Sequence, residues 1–187
     1  MIMSRGQHIT LRPATTQDVP ALLALMDSIL TWLVAQGRPQ QWGTVPFSRI
    51  PGFPHLFASW VSQGAITTAQ RDDSCVGLLA LAQAPPPHIP PELIPADALF
   101  IHTVMSARGA SGRGVGQALL HEADRQARAR GAPALGLDHW AGSTELDRIY
   151  DKHGFTKTGE YQNTEDGRTT RNTVRVRRLL TEPSERL

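Results

Sequence analysis

The N-terminal part of the chain combines two patterns of apolar positions. In HITLRPAT, Ile9 and Leu11 alternate with polar residues, and this alternation predicts a short strand. From Val19 to Val34, apolar residues recur at intervals of three and four, which predicts a helix. Asp18 suits the start of that helix, and Gly37 suits its end.

The middle of the chain alternates loops, a short helix and a hairpin. RPQQWG predicts a loop, and HLFASWVSQG predicts a short helix closed by Gly64. The segments AITTAQ, RDDS and CVGLLALAQ predict a strand, a turn and a second strand. A proline-rich loop follows at about residues 84–97, where proline removes backbone donors and fixes φ. We therefore expect this segment to be an exposed excursion.

The second half of the chain alternates strands and helices. ALFIHTVM predicts a central strand, and a helix from about Gly114 to Arg130 follows a glycine-rich turn. ALGLDHW predicts another strand, and STELDRIYDKHG predicts a short helix. The last segments predict a hairpin around Glu165, Asp166 and Gly167. This order of elements predicts a mixed α/β fold and a single domain over residues 1–187.

The composition excludes several broad classes of protein. Hydrophobic residues make up 40% and charged residues 19% of the 187 positions, which is ordinary for a globular protein. The formal net charge of +2 gives little support to a nucleic-acid or membrane partner, and we expect neither. No apolar run approaches the ~20 residues needed to span a membrane, and MIMSRGQHIT lacks a signal-peptide core. Cys75 is the only cysteine, so these features predict a cytoplasmic protein without disulfides.

A glycine-rich stretch, ARGASGRGVGQALLHEA, lies at the junction between a predicted strand and a predicted helix. Glycines let backbone N–H groups approach phosphate oxygens, and a helix N-terminus adds roughly half a positive charge. Arg113 would add a full charge. No lysine follows the glycines as a P-loop requires, and Gly112, Gly114 and Gly116 lack the Rossmann spacing. An anion-binding loop and a flexible surface turn remain as alternatives.

Two motifs in this region have a recognisable spacing. The loop is Ser111-Gly112-Arg113-Gly114-Val115-Gly116, and a later helix ends in Tyr150-Asp151-Lys152-His153-Gly154-Phe155. Over roughly residues 98–155 the chain resembles the GNAT superfamily of acetyl-CoA-dependent N-acetyltransferases, whose signatures are [Q/R]-x-x-G-x-[G/A] and Y-x-x-x-G-F. Ser111 departs from the preferred glutamine or arginine, which a frame beginning at Arg113 would restore.

The resemblance implies a fold and a co-substrate. The GNAT fold has a mixed, mostly antiparallel sheet flanked by helices, with two central strands that splay apart. Acetyl-CoA is expected between these strands, with its pantetheine arm on strand backbone and its pyrophosphate on the amides of the glycine-rich loop. The cofactor-binding residues so implied are Val104, Met105, Ser106, Ser111, Gly112, Arg113, Gly114, Val115, Gly116, Gln117 and Ser143.

Acetyl transfer to an amine needs a proton acceptor, an oxyanion donor and a proton for the departing thiolate. Tyr150 matches the position where many GNAT enzymes carry the acid, and a phenol with pKa ~10 is protonated at neutral pH. Its alternative role is a core tyrosine. His102 matches the position of the base in many relatives, and an imidazole with pKa ~6.5 suits that work. Alternatively, His102 only packs or forms hydrogen bonds, and water alone serves as the base. The backbone amide of Met105 is the candidate donor to the oxyanion.

Five further residues each have two interpretations. Ser143 is a contact to the cofactor or only a helix N-cap. Trp42 and Trp140 either line the acceptor pocket or pack in the core or in a lid. Asp138 and His139 alternate to opposite faces of their strand and are rival bases, and Asp138 is also placed in the acceptor site.

The remaining patterns complete the functional hypothesis. The histidines show no metal-ligand spacing, so we expect no metal. Arginines alternate between Arg171 and Arg178, which predicts a solvated outer face of a strand.

We expect direct acetyl transfer to a primary amine, on a small molecule or a peptide, in a ternary complex. The alternative is a GNAT-like module that binds acyl-CoA without catalysis, as a regulator or sensor. A homodimer is common in the superfamily, although no feature here fixes an interface.

Overall fold

The computed structural model describes residues 8–165 and 167–179. Within them the α-helices are α1 Val19–Ala35, α2 Pro39–Trp42, α3 Phe53–Ser62, α4 Val115–Ala129 and α5 Thr144–Lys152. The strands are β1 Thr10–Pro13, β2 Ile66–Arg71, β3 Ser74–Ala82, β4 Leu99–Ser106, β5 Ala134–Trp140, β6 Thr156–Glu165 and β7 Arg168–Arg178. The main predicted elements are therefore confirmed. One prediction was wrong, because RPQQWG contains the short helix α2, which begins at a proline as first turns tolerate.

The strands form one seven-stranded sheet in the order β1-β2-β3-β4-β5-β7-β6. β4 and β5 pair in parallel over Leu99–Ile101, whereas the ladders β1–β2, β2–β3, β5–β7 and β6–β7 are antiparallel. The last hairpin pairs Glu165 with Arg168, and the predicted turn residue Asp166 lies outside the described residues. The mixed, mostly antiparallel sheet confirms the predicted fold class.

The chain forms two compact units, each assembled from separate segments. The first contains the described residues up to Ala80 together with Thr103–Glu122. The second contains Leu81–His102 and the described residues from Ala123 onward. β3, β4 and α4 each contribute residues to both units. A single domain over the whole chain stays a prediction.

The core of the first unit is built around α1. The helix buries one face, made of Leu22, Leu23, Leu25, Met26, Ile29, Leu30 and Leu33. With the preceding turn it forms a 20-residue stretch, Thr16–Ala35, with mean hydropathy 1.6, which by length and composition alone is sufficient to cross a membrane. The expectation that no run approaches this length was therefore wrong. The buried face packs with Phe57, Ile66 and Leu78, as in a core helix.

The proline-rich segment, residues 84–97, packs on the sheet of the second unit. Ile89 and Ile94 are both 4% exposed, so the expected exposed excursion was wrong at its apolar positions. Two glycines provide the space. A Cβ at Gly136 of β5 would lie 2.0 Å from Ile94 Cδ1, and a Cβ at Gly159 of β6 would lie 2.5 Å from Leu93 Cδ2. Proline prevents regular hydrogen bonding here but does not prevent close packing.

The arginine-rich strand β7 corrects another expectation. Arg171 is exposed, but Thr173 is buried and Arg175 is only 3% exposed, so the predicted solvated face was wrong at its centre. Arg175 is buried because carboxylates from α5 pair with it, which compensates the cost of removing its charge from water.

Candidate active site

The glycine-rich loop of the first unit leads from β4 into α4 through a 3₁₀ turn, Gly109–Gly112. A Cβ on Gly112 would lie 1.6 Å from the Ala107 carbonyl oxygen, which no side chain can satisfy. Gly114 has φ +78°, in the left-handed region that favours glycine. The loop therefore requires glycine at both positions to keep this path.

A buried arginine holds the loop from behind. Arg71, at the end of β2, is 7% exposed. Its Nη1 donates to the carbonyl oxygens of Ala110 at 3.1 Å and Ser111 at 2.6 Å, and its Nη2 donates to that of Arg113 at 2.8 Å. Its Nε is buried without a hydrogen-bond partner among the described residues. Since N–H and C=O of a trans peptide point in opposite directions, the Gly114 N–H points away from Arg71.

The first turn of α4 presents backbone N–H groups that have no hydrogen-bond acceptor within the helix. The Ala118 N–H donates to the Gly114 oxygen at 3.0 Å, so Gly114 is the N-cap and offers no side chain to the amides that follow. The first amides of a helix have no partner within it, which applies to Val115, Gly116 and Gln117. A Cβ on Gly116 would meet no atom within 4 Å, so packing does not require this glycine. The cradle therefore fits a diphosphate.

The other predicted cofactor residues of the first unit lie around this loop. Val104, Met105 and Ser106 form the end of β4, with Met105 buried and its neighbours half-buried. Val115 is fully buried, and Gly77 of β3 makes room for it, since a Cβ there would lie 2.4 Å from Val115 Cγ1. Ser111, Arg113 and Gln117 are exposed. The buried cation behind the loop is thus Arg71, which sequence reasoning missed.

Tyr150 lies on α5 in the second unit and is 9% exposed. Its ring centroid lies 5.3 Å from that of His139 and 5.9 Å from that of Phe155. No hydrogen bond to its hydroxyl is found within the described residues. Burial and the charge of Asp138 raise the pKa of Tyr150 to about 12, so its phenol is protonated at neutral pH. This state is required of a proton donor.

A buried ion-pair network holds α5. Arg175 Nη2 lies 2.6 Å from Asp147 Oδ1, and its Nη1 lies 2.6 Å from Asp151 Oδ1. Its Nε donates to His139 Nε2 at 3.0 Å, so that nitrogen is an acceptor and His139 Nδ1 carries the proton toward the Trp140 oxygen. Burial lowers the pKa of His139, which favours this neutral form. His139 is therefore fixed beneath Tyr150.

Asp138 faces the opposite side of β5, as alternation predicted. Its Oδ2 accepts a hydrogen bond of 2.7 Å from the hydroxyl of Tyr161, a buried residue of β6. His88 of the proline-rich segment lies with its ring centroid 5.9 Å from that of Tyr161. The parallel pairing of β4 with β5 ends at Ile101 and Leu137, so His102 and Asp138 are the first residues beyond it on the two strands.

His102 is an exposed residue of β4. Desolvation lowers the pKa of His102, an effect that Asp138 opposes and His88 reinforces. The neutral imidazole that a base requires is therefore favoured at neutral pH. In the second unit, the charge of Asp138 therefore acts on both His102 and Tyr150.

The remaining predicted residues have clear structural contacts. Ser143 caps α5, since its Oγ accepts from the Leu146 N–H at 3.3 Å, which confirms the N-cap interpretation. Trp140 folds over Gly142, whose Cβ would lie 2.1 Å from the indole ring. Trp42 packs edge-on against Phe47 at 5.5 Å in the first unit. A role of Ser143 in cofactor binding and of the two tryptophans in acceptor binding stays a prediction.

The acetyltransferase (GNAT) family model matches residues 26–155, and the chain belongs to this family. Acetyl-CoA is the typical co-substrate of these enzymes. No curated protein sequence matches the chain.

Solved structures share the fold across almost the whole chain. Ribosomal-protein-alanine N-acetyltransferase from Brucella melitensis is 21% identical, with a TM-score of 0.68 over 91% of this chain and 99% of that one. The PaiA N-acetyltransferase from Thermoplasma acidophilum, in complex with coenzyme A, is 13% identical, with a TM-score of 0.64 over 92% and 99%. Salmonella typhimurium yncA, with its cofactor acetyl-CoA, is 14% identical, with a TM-score of 0.67 over 96% and 98%. At these identities the likeness shows the fold.

Sequence reasoning missed four residues that organise the site: Arg71, His88, Tyr161 and Arg175. For Arg175 a signal existed, because Asp147 and Asp151 are one helical turn apart and present two carboxylates on one face of α5. For Arg71, Tyr161 and His88 no local pattern existed, since their contacts join segments distant in sequence.

Proposed function

We propose that the protein is an N-acetyltransferase that moves an acetyl group from acetyl-CoA to a primary amine by direct transfer. The observation that carries this proposal is the diphosphate cradle at the start of α4. Gly116 has open space where a side chain would lie, and Arg71 places a buried cation behind the loop. A surface turn needs neither feature, whereas an anion held by backbone amides uses both.

We assign the proton transfers to residues of the second unit. Acetyl-CoA supplies a thioester whose carbonyl carbon the amine attacks, forming a C–N bond and breaking the C–S bond. His102 accepts the proton that the amine loses, and its neutral form supports this role. Tyr150 donates its hydroxyl proton to the departing thiolate, and both residues then exchange protons with water.

The other assignments rest on the family likeness and on position. We assign the backbone of Val104, Met105 and Ser106 to the pantetheine arm, and the amides from Gly112 to Gln117 to the pyrophosphate. Trp42, Trp140 and Asp138 are assigned to the acceptor amine.

Calorimetric titration with acetyl-CoA, desulfo-CoA and adenosine tests the cofactor assignment. We expect stoichiometric binding of acetyl-CoA and desulfo-CoA, and much weaker binding of adenosine, which lacks the diphosphate. Gly112→Ala is the matched loop variant, and it should lose binding because its Cβ would overlap the Ala107 carbonyl. Absence of acetyl-CoA binding by the wild type would overturn the proposal.

Tyr150→Phe distinguishes an enzyme from a binding module. We expect kcat to fall by about 10²–10⁴-fold, with acetyl-CoA affinity unchanged, because only the proton donor is removed. An unchanged rate would refute the role of Tyr150 as the acid. Binding of acetyl-CoA with no turnover on any amine would favour the regulatory module.

A further inference from the structure

Asp138 is an unusual carboxylate in the second unit. It is half-buried, yet no ion pair to it is found among residues 8–165 and 167–179. Four other carboxylates of the unit have cationic partners: Asp124 pairs with Arg128, Asp147 and Asp151 with Arg175, and Glu160 with Lys157. A partly desolvated charge without a counter-ion is costly unless a ligand supplies the opposite charge.

The groups around Asp138 hold it without neutralising it. Tyr161 donates its hydroxyl to Oδ2, leaving Oδ1 available. Burial and the negative charge of Asp138 raise the pKa of Tyr161, which stays a neutral donor. Tyr161 is fixed in the hairpin by its pairing with Asn172 of β7. The cluster formed by Asp138, Tyr161, His88 and His102 therefore contains one carboxylate and no lysine or arginine.

The proline-rich segment brings His88 to this cluster. Leu93 and Ile94 occupy the spaces above Gly159 and Gly136, so the segment is fixed on the same sheet that carries Asp138 and Tyr161. His88 is exposed and lies against the Tyr161 ring. No three His, Cys, Asp or Glu side chains converge as metal ligands in the part of the chain that the structure describes. The chemistry of the cluster suits an organic cation.

We propose that Asp138, supported by Tyr161 and by His88 of the proline-rich segment, binds a cationic amine acceptor that carries no carboxylate beside its amino groups. This inference rests on the proposed function, because it names the substrate class of the same site. A single carboxylate without a lysine or arginine beside it attracts an alkylammonium group. It repels the carboxylate of an amino acid, since no positive residue of the cluster would pair with it.

The test uses two acceptors that differ by one carboxylate, 1,4-diaminobutane and ornithine. For the wild type we expect kcat/KM for the diamine to exceed that for ornithine by at least about tenfold, because like charges oppose each other. Asp138→Asn should lower kcat/KM for the diamine by about tenfold or more and bring the two acceptors close together. Glu92→Gln, an exposed carboxylate of the proline-rich segment, is the matched control and should change neither value.

The role of the proline-rich segment has its own variant. His88→Ala should raise the KM for the diamine by about threefold or more with little change in kcat or in the KM for acetyl-CoA. His88→Asn, which keeps a polar group, should restore part of the affinity. Equal effects on both substrates would indicate a structural role and overturn this assignment.

A binding measurement separates failure of this inference from failure of the proposed function. Titration of the diamine, followed by NMR signals of the histidine rings, should report binding in the wild type and its loss in Asp138→Asn. Diamine binding without acetylation would contradict the enzyme and leave the amine site standing. Acetylation with a preference for ornithine, or a preference unchanged in Asp138→Asn, would overturn the amine site and leave the enzyme standing.

Discussion

Gly116 is a glycine that the packing of the protein does not need. It lies in the first turn of α4 with helical φ, and an added methyl group would meet no atom within 4 Å. Glycine in a helix is less stable than alanine by about 1 kcal/mol, so Gly116→Ala should raise thermal stability. The same methyl group should weaken acetyl-CoA binding by about tenfold or more, because it occupies space over the backbone donors.

Calorimetry and thermal unfolding of Gly116→Ala measure the two effects separately. Gly112→Ala is the contrasting variant, since it should lose both stability and binding. Unchanged acetyl-CoA affinity in Gly116→Ala would show that the cofactor does not approach this amide.

His102 determines the expected pH dependence of the reaction. Its pKa is lowered by desolvation, so the neutral base persists to lower pH than for an ordinary histidine. Activity should be full above this pKa and fall as pH decreases through it, with the acid limb of kcat/KM below about 6.5.

In His102→Gln we expect the acid limb to disappear and kcat to fall by about 10²-fold. His55→Gln, at an exposed position of α3, is the control and should keep both the limb and the rate. An acid limb that persists in His102→Gln would assign the base to another group or to water.

The loop from β4 to α4 depends, as an element, on Arg71. Arg71→Lys keeps the positive charge but cannot reproduce the planar pattern that reaches the carbonyls of Ala110, Ser111 and Arg113. We expect the KM for acetyl-CoA to rise by about tenfold or more while kcat changes little, since Arg71 positions the loop. Steady-state kinetics with acetyl-CoA varied measures this, and a change confined to kcat would refute the positioning role.

Helix α5 is held to β7 by Arg175. Removing one partner of a buried ion pair lowers the free energy of unfolding by about 3–5 kcal/mol. For Arg175→Met we expect a loss near the lower end of this range, because Asp151 is 64% exposed. Asp151→Asn should cost under about 1 kcal/mol for the same reason. Urea unfolding measures both, and similar values for the two variants would contradict a clamp centred on Arg175.

For the helices and strands, sequence reasoning succeeded where the spacing of apolar residues is regular. Regular spacing of apolar residues predicted α1, α4 and the hairpins, because burial of one face is a local property of the sequence. The packing of the proline-rich segment could not be predicted, since the spaces above Gly136 and Gly159 exist only when β5 and β6 are folded. The burial of Arg175 likewise depends on carboxylates from another element.

For the whole molecule, two motifs together with the predicted order of elements around them were sufficient to recognise the family. The motifs at Ser111–Gly116 and Tyr150–Phe155 lie within the matched region, residues 26–155. The candidate site was predicted only in part, because Tyr161 and His88 reach Asp138 through long-range contacts. Spacing along the chain gives no information about such contacts.

The whole fold also bears on whether α1 could enter a membrane. The stretch Thr16–Ala35 has the length and composition of a membrane span, but the apolar face of α1 is occupied by the core of the first unit. We therefore expect the folded protein to remain in the supernatant when it is sedimented with phospholipid vesicles. Leu33→Asp, which disrupts that core, should lower the melting temperature. Co-sedimentation of the folded wild type with vesicles would contradict this interpretation.

The contact between Arg71 and the loop carbonyls has a consequence for the kinetics of recognition. Three hydrogen bonds fix the path of the loop within the protein itself, so its shape does not wait for a ligand. A ligand that binds there meets a preorganised surface, and little conformational entropy is lost on association. Association with acetyl-CoA should therefore occur in a single kinetic phase, without a slower step in which the loop folds around the ligand.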